Sequence, residues 1–241
     1  MLKGKADPGL LDTYDDERAP IGQQIVKRAN KSIGETAPIF EALGLQPGIA
    51  ADQMWRNMEA RKASSPEAAA QREWLRKAVW QKNYEFNAHG VELNQRYRSA
   101  AVVSDGTPEP PFERDPELYF HPTTWPGARL PHVWLQKDGH PISTLDVAGQ
   151  GRFVVLTGIG GEGWMDAARK ASARYGIAIE GFVIGPGHDL TDLYGEWAEA
   201  REIGESGCLL VRPDAHVGWR AAEAGDEENR LASAVAQILG R

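Results

Sequence analysis

The sequence is poor in the residues that carry most recognisable chemistry. A single cysteine, Cys208, among 241 residues excludes an intrachain disulfide framework and a paired-cysteine redox site. It stands in Cys208-Leu209-Leu210-Val211, an apolar run that reads as a buried strand. Basic charge is scarce as well. The formal net charge is −7, and no basic stripe of the kind a nucleic-acid surface needs is present. No window approaches the roughly 18 consecutive apolar residues of a membrane helix, so no membrane span is expected. Met1-Leu2-Lys3-Gly4-Lys5 lacks the apolar segment of a secretory leader. With the lone thiol, this points to a reducing, cytoplasmic setting. None of the six histidines lies three or four residues from another histidine or from the cysteine, so no zinc site is expected. A Gly-x-Ser-x-Gly elbow and a Gly-Lys-[Ser/Thr] phosphate loop are both absent.

What is present falls into two halves, and the predicted class is mixed: an α-helical N-terminal segment over 1–103, then an α/β domain over 132–241. Asp7-Pro8 is a helix start, with an N-cap acid before a proline in the first turn. The helix it opens should stop near Arg18. Pro20 should then open a second helix with Ile21, Ile25, Ala29 and Ile33 on its apolar face. A third segment, about 50–63, carries Met54, Trp55 and Met58. Ser64 and Glu67 have capping-box spacing before a long helix with Trp74, Leu75 and Trp80 that ends near Gly90. The tryptophans and methionines read as core. Asp15-Asp16-Glu17 reads as a solvated acidic face, with Glu17-Arg18 making helix-end ion pairs. Seven of the fifteen prolines fall in 104–131. Proline removes donors and fixes φ, so this stretch is expected to be an extended linker.

The last 110 or so residues alternate in a strand and helix pattern. Strands are expected at His132–Leu135, Arg152–Thr157, Ile177–Ile184, Cys208–Arg212 and His216–Arg220. Helices are expected at Trp164–Tyr175, Leu190–Glu202 and Glu227–Leu239. After the first short strand the order is β-α-β-α-β-β-α, a thioredoxin-like topology. Within it, Gly158-Ile159-Gly160-Gly161-Glu162-Gly163 matches the dinucleotide fingerprint, with Glu180 near the spacing of a ribose-binding acid. A nucleotide-binding domain built on this loop is one reading. The other is a glycine turn that lets helix and strand approach closely. Glu162 would face a bound pyrophosphate with a carboxylate, and the chain continues into a hairpin rather than further parallel strands, so the second is preferred. His216 with Arg212 and Arg220 has the composition of an anion clamp, set against a hairpin tied by its own hydrogen bonds.

Several segments together resemble one family. Pro122-Thr123-Thr124, the run Pro126 to His132, Ser143-Thr144-Leu145-Asp146, Leu156-Thr157-Gly158, and Leu210 to Asp214 with His216 and Trp219-Arg220 are similar to the C-terminal region of FAD-dependent aromatic-ring hydroxylases. The phenol and 2,4-dichlorophenol monooxygenases are the nearest in pattern. Leu10-Leu11-Asp12, Tyr14, Glu17-Arg18, Pro20 and Ala29-Asn30 resemble the segment following that family's flavin domain. The resemblance implies that the full-length enzyme uses FAD and NAD(P)H to hydroxylate phenols or chlorophenols to catechols. It makes 1–103 the helical tail of an FAD and substrate domain. The family's flavin motifs match nothing from Met1 onward. No catalytic, cofactor-binding or metal residue is therefore assigned, no cofactor is expected on this chain alone, and the chain is expected to be incomplete and inactive by itself. The resemblance also implies a thioredoxin-like C-terminal domain without redox cysteines, with Gly160 to Gly163 where the cysteine pair would stand. Such a domain serves subunit contacts, so the expected partner is a second copy or the upstream FAD domain. A non-catalytic interaction module is the alternative from another functional class.

Overall fold

The structure, a computed structural model, describes residues 3–241. Met1 and Leu2, part of the stretch read against a leader, lie outside the described residues. The chain divides into two compact units. One comprises Met1–Pro20, Leu93–Glu113 and His121–Arg241; the other comprises Ile21–Glu92 and Arg114–Phe120. The proline-rich stretch 104–131 has neither helix nor strand, as proline chemistry requires, and is shared between the two.

The chain opens with a 3-10 turn, Pro8–Leu11, capped by the Asp7 carboxylate, which accepts from Gly9 N–H at 2.8 Å. It runs directly into α1, Asp12–Gly34. The expected break near Arg18 does not occur, because Pro20 sits inside the helix. A mid-helix proline forfeits one backbone bond, to the Asp16 carbonyl, and crowds that carbonyl. The many remaining bonds of a 23-residue helix carry it through. The expected apolar face is also displaced. Ile25 and Ile33 are 50% and 76% exposed, and the buried positions are Thr13, Glu17, Ile21, Arg28 and Ser32. This buried stripe is mostly polar and is held by directed bonds. Arg28 donates to Ser32 Oγ and Glu35, and to Glu117 at 3.0 Å.

The helical unit continues with α2 (Ala37–Ala42), α3 (Ala51–Ala60), α4 (Pro66–Gln81), α5 (Asn83–Phe86) and α6 (His89–Leu93). The cap of α4 is Ser65, which accepts from Ala68 N–H, one residue later than the Ser64 spacing suggested; this register puts Pro66 at the first helical position. The helix ends at Gln81, and Gly90 lies inside α6 instead of stopping the long helix. Trp80 does meet Tyr84 edge-on, with centroids 6.1 Å apart, as the i,i+4 spacing predicts. The expectation that the tryptophans are core is overturned: Trp55, Trp74 and Trp80 are 65%, 47% and 48% exposed. The buried residues of α2 and α4 are alanines, Ala42, Ala68 and Ala78. Small side chains bring helix backbones close together and leave no room for indoles in the seam.

The other unit, which also holds Pro8–Leu11 and α1 up to Pro20, adds β1 (Trp134–Lys137) and β2 (His140–Ser143), an antiparallel hairpin. Asp138 and Gly139 at its turn both have positive φ, the two-residue geometry that matches strand twist. The sequence pattern implies the first strand and the turn but not β2, since Pro141 argues against a strand. Pro141 is tolerated because a two-stranded ribbon consists only of edges. A capping box of Ser143 and Asp146 starts α7, Thr144–Val147. Then come β3 (Phe153–Gly158), α8 (Gly163–Tyr175), β4 (Ile179–Ile184), α9 (Glu196–Ala200), β5 (Cys208–Val211), β6 (Val217–Ala221) and α10 (Glu227–Ile238). The four-stranded sheet has the order β4-β3-β5-β6. β3 is parallel to β4 and antiparallel to β5, and β5 is antiparallel to β6. Every residue of β3 is buried, which explains its unbroken apolar run. On one face Val155 and Leu210 pack with Trp164, Leu231 and Val235 of the flanking helices. On the other, Val154, Leu156 and Leu209 pack with Leu130, Leu135 and Trp197.

α9 is much shorter than the Leu190–Glu202 helix expected. Leu190 bonds instead to Val183 and bridges Ile184. Gly195 takes a left-handed φ of 78°, and the Asp192 carboxylate accepts from Gly195 and Ala198 N–H, so the helix starts only there. Among the described residues no helix is long and apolar enough to cross a membrane.

Candidate functional site

The glycine loop follows β3 and opens α8, the context a dinucleotide fingerprint requires. Its surroundings do not suit a pyrophosphate. Gly160 N–H donates to the Glu162 carboxylate at 3.2 Å. The amides of Glu162 and Gly160 hold that carboxyl below the usual range. A Cβ on Gly163 would meet the Glu227 carboxyl group at 3.3 Å. Two carboxylates therefore stand where an anion would bind at a helix N-terminus. The glycines have steric work instead. A Cβ at Gly161 would lie 1.9 Å from Thr157 Oγ1 and 2.8 Å from the Ser206 carbonyl, and one at Gly158 would lie 2.5 Å from the Glu205 carbonyl. Glu180 is paired with Arg152 at 2.5 Å. Cys208 is fully buried in β5, and burial pushes its thiol well above the ordinary range, which removes nucleophilic character.

The polar groups converge at the β5–β6 hairpin. Arg212 is 9% exposed, and its guanidinium forms two bonds to Glu17, at 2.5 and 2.8 Å, and one to Asp214 at 2.8 Å. Burial works against the Arg212 charge; the bonds it donates to Glu17 and the charge of Asp214 outweigh this and hold the group protonated. The Asp214 side chain is 45% exposed; its partial desolvation would raise the carboxyl, but His216 and Arg212 reverse this and leave it below the carboxylate range. His216 Nδ1 lies 3.1 Å from the Asp214 carbonyl, and its ring stacks on Tyr97 at 4.2 Å with a 23° tilt. Its Nε2 is buried without a hydrogen-bond partner among the described residues. Tyr97 accepts from Arg18 at 2.7 Å. A second cluster surrounds Arg220, which bonds Asp105 at 2.5 Å, Glu202 at 3.1 Å, and the hydroxyls of Thr124 and Thr107.

The structure thus separates the residues grouped as an anion clamp. Arg212 and Arg220 are each bonded to their own pair of carboxylates. The acidic run near the N-terminus is also redistributed: Glu17, read as solvated, is 7% exposed and is the main partner of Arg212, while Arg18 turns to Tyr97. No spacing rule links positions 17 and 212. The available signal was that Glu17-Arg18 and Arg212-Pro213-Asp214 both belong to the two segments that resemble the same family. Among the described residues no group of three or more potential metal ligands occurs.

The sequence and fold of this chain have counterparts in known proteins. A family model described as aromatic-ring hydroxylase, C-terminal, matches residues 123–241, and that segment belongs to this family. The chain as a whole is 51% identical to the 2,4-dichlorophenol 6-monooxygenase of Delftia acidovorans, an alignment covering 99% of this chain and 41% of that protein. It is 48% identical to a phenol 2-monooxygenase of Pseudomonas sp. strain EST1001, covering 92% of this chain and 36% of that protein. Among solved structures, the flavin-dependent monooxygenase PieE in complex with FAD and substrate superposes with a TM-score of 0.92 at 51% identity. There too the match covers 99% of this chain and 41% of the other. The chain therefore spans about two fifths of the length of these relatives.

Proposed function

We propose that this chain is the C-terminal portion of an FAD- and NAD(P)H-dependent monooxygenase that hydroxylates phenols or chlorophenols to catechols, and that it does not turn over alone. The observation carrying this reading is the 51% identity to a dichlorophenol monooxygenase along 99% of the chain but only 41% of the relative. The glycine loop, crowded by Glu162 and Glu227, does not fit a flavin or nicotinamide pyrophosphate, so no catalytic step is derived through a cofactor held by this chain. In the proposed enzyme both cofactors belong to the portion of the relatives that this chain does not span. The order β4-β3-β5-β6, with one parallel pair and a terminal hairpin, supports reading the domain drawn at 132–241 as thioredoxin-like, and its lone buried Cys208 leaves it without a redox pair. The segment 1–103 is then the tail of the FAD and substrate domain and 104–131 its connection.

A second part of the proposal concerns partners. The exposed Trp55, Trp74 and Trp80, with Phe40 and Phe86 at 50% and 73% exposure, favour contact with another polypeptide, either a second copy or an FAD-binding portion. Large exposed apolar groups in number mark interaction surfaces.

The purified chain tests the first part. It should show no visible flavin spectrum and no NAD(P)H oxidation with phenol or 2,4-dichlorophenol. A stoichiometric yellow flavin with NAD(P)H oxidation would overturn it. Sedimentation of the chain with and without an FAD-binding portion from a relative tests the second, and a strict monomer in both conditions would defeat it.

A further inference from the structure

A cavity of about 650 Å³ lies beside the β5–β6 hairpin, bounded by the start of α1, the segment around Tyr97, and the end of α10. This is within the range of small-molecule sites, and its lining combines apolar side chains with several polar and charged ones. Leu10, Phe153, Ile238 and Leu239 supply the apolar wall, and Arg18, Arg129, Tyr97 and His216 the polar one.

The charges on that wall do not cancel. Arg212, also at the cavity, is matched by Glu17 and Asp214. Arg18 and Arg129 are both exposed and form no ion pair among the described residues; Arg18 donates to the Tyr97 hydroxyl and feels the Asp214 charge from a distance. Two guanidinium groups therefore face the space without carboxylate partners. His216 adds an independent sign of a missing contact. Its Nε2 is buried and unbonded, a state that costs free energy in a folded protein and is rare.

We propose that this cavity is a binding site for a small organic monoanion with an apolar body, a carboxylate carried on an aromatic ring or a short alkyl chain. The guanidinium groups of Arg18 and Arg129 take the carboxylate, since an arginine fork matches carboxylate geometry. The apolar wall takes the ring or chain. A dianion such as a phosphate monoester fits less well, because Glu17 and Asp214 lie in the same lining and repel the second charge. The proposal is one of binding: both carboxylates of the lining are engaged, Asp214 and Glu17 each with Arg212. The inference rests on the cavity alone and stands independently of the monooxygenase reading.

The test is calorimetric titration of the purified chain with sodium benzoate and sodium hexanoate at fixed ionic strength. Benzamide serves as the neutral isostere and phenyl phosphate as the dianion. The side-chain ¹H–¹⁵N spectrum of the histidines is followed in parallel. Saturable benzoate binding should shift the His216 ring signals, with benzamide and phenyl phosphate each weaker by about ten-fold or more, the equivalent of one lost charge-assisted bond. Arg129→Gln, at an exposed position that leaves the core untouched, should weaken benzoate by about ten-fold, and Arg18→Gln similarly. Arg169→Gln, on the far surface of α8, should change nothing. Absence of saturable binding, equal affinity for benzoate and benzamide, or unchanged affinity in Arg129→Gln would each overturn the proposal.

Discussion

At the scale of single residues, the polar contacts that organise the sheet-containing unit are carboxylate–arginine pairs withdrawn from water. Glu17 and Arg212 are 7% and 9% exposed. Breaking such a pair leaves a buried charge unmatched, which costs far more than the pair contributes when intact. Glu17→Gln should therefore lower the free energy of unfolding by about 3 kcal/mol, measured by denaturant titration. Adding Arg212→Met to it should recover part of the loss, since the two changes are coupled. Asp214 sets a pH dependence. Its folded carboxyl lies below the unfolded value of about 3.9, so its stabilisation is complete above that value and is lost as pH falls through the folded one. Asp105 and Glu35 shift in the same direction, burial opposing and hydrogen bonds from Thr107 and Arg28 prevailing. Stability should hold through neutral pH and decline below about pH 4. Asp214→Asn should flatten that decline, as thermal melts across the acid range will register.

At the scale of elements, the β3–α8 turn shows how one motif supports two readings. A strand, a glycine-rich turn and a helix start are equally what a pyrophosphate site and a tight helix–sheet junction need. The carboxylates of Glu162 and Glu227 and the contact at Gly161 decide between them, and only folding brings Glu227 and Ser206 to the loop. Gly161→Ala should destabilise by about 1–3 kcal/mol, because its Cβ has no room beside Thr157. Gly163→Ala, which meets only the flexible end of Glu227, should stay close to the parent. Comparing their melting temperatures checks both. A loop whose glycines serve a nucleotide would instead show both variants at parental stability. α9 teaches a related lesson: the apolar spacing of Leu190, Leu193 and Trp197 fits a helix, yet Asp192 and Gly195 have stronger local preferences. Asp caps a helix better than it continues one, and Gly takes positive φ without strain.

At the scale of the whole chain, the distribution of tryptophan is the most informative property. Trp164 and Trp197 are essentially inaccessible and Trp219 is 7% exposed, while Trp55, Trp74, Trp80 and Trp134 are all between 47% and 65% exposed. Tryptophan fluorescence should accordingly resolve into two populations under acrylamide, roughly half quenched readily and the remainder protected, since accessible indoles meet the quencher directly. Partner binding at the helical surface would shrink the accessible population. A single protected population in the isolated chain would contradict the exposed placement.

Much of the sheet domain was legible in order. Phe153–Leu156 and Cys208–Val211 are short apolar runs bounded by turn residues, and local patterning is enough to mark them as buried strands. The helical part was legible as helices but not as faces. Whether Trp55, Ile25 or Ile33 is buried depends on which surface meets them, and periodicity carries no information about that. The pairing of Glu17 with Arg212 was likewise out of reach, as were the cavity between α1 and α10 and the crowding of the glycine loop. Each brings together residues far apart in the chain, so it exists only once the sheet has set its register and the terminal segments have packed against it. The residue types and their order were enough to indicate the elements and the family. Which charges are matched, and which are left facing open space, was decided by the tertiary packing, because electrostatic matching in a protein depends on distance and burial and not on position in the chain.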